Sequence, residues 1–372
     1  MRDIRADDEQ DEDEVYTFGG GQLTPKNFMA LLKSSKYKKE FLRFFYTEIR
    51  NQEYANIIGK KVLYCSVDNE CICLYCDEQG LLEFTEVQEL FGAHEEADTR
   101  VAFHTLHVDK YDPGNTIVRC NDTDIKIIMV TNADKYDNSD VWLDVGLDHN
   151  NSRHYINIKA TAEKLKCKHP KFVKALPGAY GFSGLDFIPA FMRKGKKRPV
   201  KLMLKDERFI DVFSRLGEEE LTDLDIAVME AFTCAVFGYP KLSQINEARF
   251  AFCNEKCAPE TSSSPLDRLK SVDPNLFPPC QSVLLQQIKR TWFLAHLYKH
   301  ATESDPLGSI IPLDYGYELI DGRMGIKWYE GDQVPQEMDE SDDEDEEAEN
   351  ETDDELVEND ETDDDSDIDE DD

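Results

Sequence analysis

Three short runs hold residues that could do chemistry together. His94-Glu95-Glu96-Ala97-Asp98-Thr99-Arg100 puts three carboxylates at the start of an amphipathic helix expected over residues 94–111. Asn121-Asp122-Thr123-Asp124 interrupts two apolar segments, 116–120 and 125–130, both expected as strands. Gly181-Phe182-Ser183-Gly184-Leu185-Asp186-Phe187 closes a later helix. Carboxylates at strand ends and at a helix start can meet at one edge of a parallel sheet, where α/β folds place their sites. Gathered carboxylates repel and take up protons unless a cation neutralises them. Mg²⁺ or Mn²⁺ accepts such an all-oxygen set. Two ions about 4 Å apart can activate a water and stabilise the leaving oxygen of a phosphodiester. Each run also has a plainer reading, because acids suit the positive end of a helix and Asp is common in turns.

The elements that must position these runs follow from periodicity. Gly19-Gly20-Gly21 ends an acidic stretch and reads as a hinge after a disordered arm, residues 1–20. Thr24-Pro25 has the form of a helix start, and Phe28, Leu31, Leu32, Phe41, Leu42, Phe44, Phe45 and Ile49 recur at helical spacing, with a break near Ser34-Ser35. From Lys61 the period falls to two. Strands are expected at 62–67, 71–75 and 82–84, with turns at Asp68-Asn69 and Glu78-Gln79-Gly80. The helix 94–111, the strands 116–120 and 125–130, and further strands at 141–145 and 153–158 predict an α/β layer with a parallel sheet and flanking helices. After Pro170 the pattern turns helical, at 172–182, 206–216, 221–237, 242–252 and 283–298. The expected organisation is an arm over 1–20, an α/β domain over 21–200, a helical region over 201–335 and a disordered acidic tail over 336–372.

Charge supports that division. The chain of 372 residues carries a net charge of −36, and 24 of its last 34 residues are acidic with no basic one among them. A coat of nucleic acid over such a surface is excluded, because phosphate neutralisation needs Lys and Arg, although a local basic track remains open. No run approaches the roughly 20 apolar residues of a membrane helix, and the N-terminus lacks a signal-peptide core, so an intracellular protein with reduced cysteines is expected. Cys71-x-Cys73-x-x-Cys76, with Cys65 upstream, could be a zinc knuckle or hairpin thiols. The spacing lacks paired C-x(2–4)-C units, which favours thiols.

The order Glu96-Ala97-Asp98, Asp122-Thr123-Asp124, Gly184-Leu185-Asp186-Phe187 resembles the internal part of the flap-endonuclease (5′-nuclease, PIN-like) superfamily, with its E-A-E/D, D-x-D and G-C-D-Y pattern. More closely, the chain is similar to a group of PIN-like proteins of animal genomes, many of them spread by mobile elements. These share H-E-E-A-D-T-R, D-T-D, L-P-G-x-x-x-F-[ST]-G-x-D and a later P-P-C…Q-x-I-K-R segment, here Pro278-Pro279-Cys280 and Gln287-Ile288-Lys289-Arg290. The resemblance runs from about Thr24 to Gln333. It implies a PIN-like, Rossmann-like sheet and Mg or Mn held by Glu96, Asp98, Asp122, Asp124 and Asp186, with Glu95 as a further acid. Leu185 stands where the superfamily has Cys. The superfamily's first acids, on an N-terminal strand, have no counterpart before Thr24, so a sheet incomplete at its N-terminus is expected.

Arg193-Lys194-Gly195-Lys196-Lys197-Arg198 has five basic residues in six. It resembles the glycine-containing turn with which flap endonucleases hold a duplex backbone. With Lys201 included, Lys196–Lys201 also reads as a nuclear-import signal, which favours the nucleus over the cytoplasm, and the run also reads as a solvated loop. Two functions follow. One is a metal-dependent phosphodiesterase on nucleic acid, or its degenerate descendant. The other is a non-catalytic interaction protein whose acidic tail binds basic proteins.

Overall fold

The computed structural model describes residues 16–147, 152–257 and 273–329. The acidic tail, residues 1–15 and the loop at 261–265 lie outside these described residues.

The N-terminal part builds an antiparallel sheet between helices. Helices α1 (Phe28–Leu31) and α2 (Ser35–Glu48) are split where expected, because the Ser34 side chain accepts the Tyr37 N–H and caps the second. Thr24-Pro25 does not open a helix; the first turn begins at Phe28. Tyr16 and Phe18 pack edge-on against Tyr37, at ring separations of 4.9 and 5.1 Å. After α3 (Ala55–Ile58) come β1 (Leu63–Val67), β2 (Glu70–Cys76) and β3 (Leu82–Glu86), a meander in the order β1-β2-β3. Strand β2 is buried on both faces: Ile72 and Leu74 meet Tyr46 and Ile58, while Cys71 meets Leu90 and Phe103. Cys71 and Cys73 are thus buried thiols of a hairpin, and burial pushes both up from the ordinary thiol range.

The next layer is mixed rather than parallel. Helix α4 (Ala97–Tyr111) leads to β4 (Asn115–Arg119), α5 (Thr123–Thr131), β5 (Asp140–Val145), β6 (His154–Asn157) and α6 (Ile158–Lys168). Strands β4 and β5 pair in parallel, and β6 returns antiparallel to β5. The expected strand at 125–130 is helix α5. The Asp122 carboxylate accepts the Asp124 N–H at 3.0 Å and caps it, and Ile125, Ile128 and Met129 then fall on one buried face. Helix α6 was not expected; Asn157 caps it by accepting the Ala160 N–H at 2.8 Å.

Helices α7 (Phe172–Phe182), α8 (Lys197–Met203), α9 (Glu207–Arg215), α10 (Asp223–Phe237), α11 (Ile245–Cys257) and α12 (Gln281–Lys299) form a second core, rich in phenylalanine. The hairpin of β7 (Tyr317–Ile320) and β8 (Arg323–Ile326) interrupts the region expected to be helical. Arg290, fully buried on α12, holds that hairpin by donating to the carbonyls of Gly316 and Lys327 at 3.2 and 2.7 Å. Helices α7 and α12 contribute to both cores. Among the described residues no helix is long and apolar enough to cross a membrane.

Candidate functional site

The run at the start of α4 divides its labour. Glu96 stands at the N-cap position and Asp98 in the first turn. The Thr99 hydroxyl donates to the Glu96 carbonyl at 3.2 Å and meets His94 Nδ1 at 3.0 Å. Burial, and then the charge of Arg100, bring His94 down to about 4, so it is neutral at pH 7. The Arg100 guanidinium donates to the carbonyls of Asp68, Glu70 and Leu90, at 2.5, 3.1 and 3.2 Å. His94, Thr99 and Arg100 therefore fix the helix start against the β1–β2 turn, and the acids are what it presents.

Asp124 is the centre of the acidic group. Tyr180, on α7, donates to its Oδ1 at 2.6 Å, and Tyr298, on α12, donates to its Oδ2 at 2.8 Å. Burial pushes the Tyr180 phenol up first, then the hydrogen bond and charge of Asp124, then the charges of Asp122 and Asp186. Tyr298 is raised by burial, then by Asp124, with Glu96 adding to it. The Cys120 thiol, raised mainly by burial, also feels Asp122 and Asp98. Asp124, Asp122 and Asp186 thus act on Tyr180, Asp124 and Glu96 on Tyr298, and Asp122 and Asp98 on Cys120. Glu95 acts elsewhere: with Glu96 it raises the buried Tyr317 phenol, after burial itself, against the opposing pull of Arg290.

The segment carrying Asp186 is a tight reversal. Leu185 and Ile188 exchange backbone hydrogen bonds of 2.8 and 3.0 Å, leaving Asp186 exposed at the turn. Gly184 has φ +115°, and a Cβ there would lie 2.5 Å from that of Ala190, so the glycine is demanded by both backbone angle and space. Gln287 clamps the same segment, its amide donating to the carbonyls of Phe182 and Pro189 at 3.1 and 3.2 Å.

The donor chemistry suits Mg or Mn, since every assigned side chain offers oxygen. The placement does not. Among the described residues no three His, Cys, Asp or Glu side chains stand together as ligands of one ion. Both oxygens of Asp124 already accept a phenol. The acids as arranged do not fit a two-ion centre.

The basic turn lies beside this group. Arg193 and Gly195 adopt left-handed φ of 57° and 59°, which folds residues 193–196 back before α8. Lys194, Lys196, Lys197, Arg198, Lys201 and Lys205 line an open cleft of about 530 Å³. Lys196 Nζ stands 3.9 Å over the ring of Tyr180. Burial pushes the Lys196 amine down while Asp124 pulls it up. Burial, then Arg198 and Lys256, push Lys194 down as well, so these cations crowd one another.

Sequence reasoning missed Tyr180, Tyr298 and Lys205. Lys197, Lys201 and Lys205 are four apart, the spacing of one helical face, which was a readable signal; nothing local marks Tyr298. Asp144, also missed, is buried at the end of β5 and paired with Arg119 and Arg153 at 2.7 and 2.8 Å, so it serves the sheet. In comparison with known proteins, the chain matches no protein-family model, no curated protein and no solved structure.

Proposed function

We propose that the protein is a PIN-like, nuclease-related binder of nucleic acid that holds a phosphodiester backbone in the cleft lined by Lys194, Lys196, Lys197, Arg198, Lys201 and Lys205. The observation that carries this is the contact series Lys196–Tyr180–Asp124: an ammonium over a phenol ring whose hydroxyl is bound to the central acid. Six cations on one cleft supply the sequence-independent part of backbone binding, whatever the net charge of the chain. A strand lying there is delivered to the acidic group rather than to an unrelated face. Binding rather than hydrolysis is the activity this arrangement supports, because no three acidic side chains among the described residues stand together to hold an ion.

Fluorescence anisotropy with single-stranded and duplex oligonucleotides tests this across a salt series. Lys196→Ala with Lys197→Ala and Arg198→Ala should weaken binding and lower the slope of log K against log salt by about one unit per lost contact. Unchanged binding with loss of nuclear accumulation alone would make the turn an import signal and overturn the proposal.

A further inference from the structure

Tyr298 has a second role besides binding Asp124. Its ring forms part of the wall of a cavity of about 320 Å³ between the start of α4, α12 and the β7–β8 hairpin. Phe293, Leu297, Leu307, Tyr317 and Met324 make the rest of the wall apolar, part aliphatic and part aromatic, and Glu95 and Glu96 supply its acidic end. The volume lies in the range of small-ligand sites. An apolar wall that includes the Tyr298 and Tyr317 rings accepts the face of a flat ring. The two carboxylates accept hydrogen bonds and donate none, so they repel a phosphate and select a guest rich in N–H groups. Their convergence on the cavity is independently visible in Tyr317, whose phenol both glutamates help to raise, after burial.

Among the bases, guanine alone offers two adjacent donors, N1–H and the N2 amino group, which one carboxylate can accept side by side. Adenine and cytosine place a ring-nitrogen acceptor beside the amino group, so lone pair would face lone pair. Uracil and thymine have a single N–H between two carbonyls. We propose that this cavity takes an unpaired guanine base, with its donor edge on Glu95 or Glu96 and its rings against the apolar wall. The inference rests on the nucleic-acid reading, since Lys196, Tyr180, Asp124 and Tyr298 join the cationic cleft to the cavity through consecutive contacts. A strand whose backbone follows the cleft can turn one base past Asp124 into it.

Calorimetry with free guanosine and adenosine tests the cavity without the backbone. Guanosine should bind about tenfold more tightly than adenosine, the discrimination of one good bidentate pair. Glu95→Gln with Glu96→Gln should bring the two within about threefold, because an amide presents a donor to a donor. Leu297→Trp, or Met324→Trp if the first variant does not fold, should abolish guanosine binding by filling the space. Lys196→Ala with Lys197→Ala and Arg198→Ala should leave guanosine binding unchanged. In oligothymidine, one central guanine should tighten binding by a similar factor. Equal affinity for the two nucleosides overturns the inference. Oligonucleotides that bind through the cleft with no preference for guanine overturn it while leaving the proposed function standing. Guanosine binding without oligonucleotide binding supports the cavity and removes the proposed function instead.

Discussion

Tyr298 donates its phenol to Asp124 across 174 residues of sequence, at 2.8 Å. A hydrogen bond to a charged acceptor is worth about 1.5–3 kcal/mol. Tyr298→Phe should lose about that much stability in denaturant unfolding, and Tyr180→Phe should lose less because Tyr180 is only partly buried. A variant as stable as the wild type would show that Asp124 is solvated without its phenols.

Both phenols are held protonated well above the ordinary tyrosine range. The unfolded chain ionises them from about pH 10, while the folded chain binds those protons longer. Their contribution is therefore complete below pH 10 and is lost as pH rises further. Absorbance at 295 nm should show an early step from exposed tyrosines and a late one, coincident with unfolding, that is smaller by two phenols in Tyr180→Phe with Tyr298→Phe, since Tyr136 and Tyr317 are raised by burial as well.

The same two hydroxyls should govern metal affinity. Mg²⁺ or Mn²⁺ should bind the wild-type protein no better than millimolar, because no three ligand side chains among the described residues stand together. Tyr180→Phe with Tyr298→Phe should bind Mn²⁺ more tightly in calorimetry. Micromolar Mn²⁺ affinity in the wild type, abolished by Asp124→Ala, would restore the metal-dependent nuclease reading.

His94 and His104 are both held at about 4, by burial first and Arg100 second. As pH falls through 6.5 the unfolded chain takes up two protons that the folded chain refuses. Stability should thus be lost between about pH 6.5 and 4, by about 2 kcal/mol per histidine at pH 5 relative to neutral pH. Denaturation midpoints at pH 7.5 and 5.0 check this, and His104→Gln should halve the difference. A midpoint that does not move would place both rings in water.

Gly184→Ala tests the turn that presents Asp186. The left-handed backbone and the collision with Ala190 together should cost about 3 kcal/mol or more. Loss of stability within 0.5 kcal/mol of zero in that variant would mean that residues 184–190 repack freely.

How much of this was legible depends on the range of the signal. The β1–β2–β3 meander was readable because alternation and turn residues are local: Asp68 takes φ 51° at the first turn, and Asp77 accepts two N–H groups at the second. Helix α5 was misread because Ile125-Lys126-Ile127-Ile128-Met129-Val130 is apolar enough for a buried strand, and β-branched side chains favour that assignment. The deciding feature was Asp122, whose capping role competes with its reading as a ligand. Helix α6 was hidden by Pro170, taken as the start of helical pattern when it only separates two helices. The acids were visible as types in order. The phenols that bind them were not, because no spacing rule links residue 124 to residue 298.

Helix α12 has a consequence for the order in which the chain is made. The carbonyls of Tyr298 and Lys299 receive Asn132 and Lys135, and Gln287 on the same helix clamps the turn before Asp186. On a nascent chain none of these partners exists until residues near 300 have been synthesised. At about 5–20 residues per second, the interval between Asp124 and Tyr298 is roughly 10–35 s. Through that time α5 and α7 lack the part of their packing that α12 supplies, and Asp124 lacks its second phenol. The β1–β2–β3 meander, with α2 and α3 behind it, has all its contacts early. The acidic centre therefore forms late, and a chain stopped before α12 would carry every assigned acid and still lack the Tyr298 bond to Asp124.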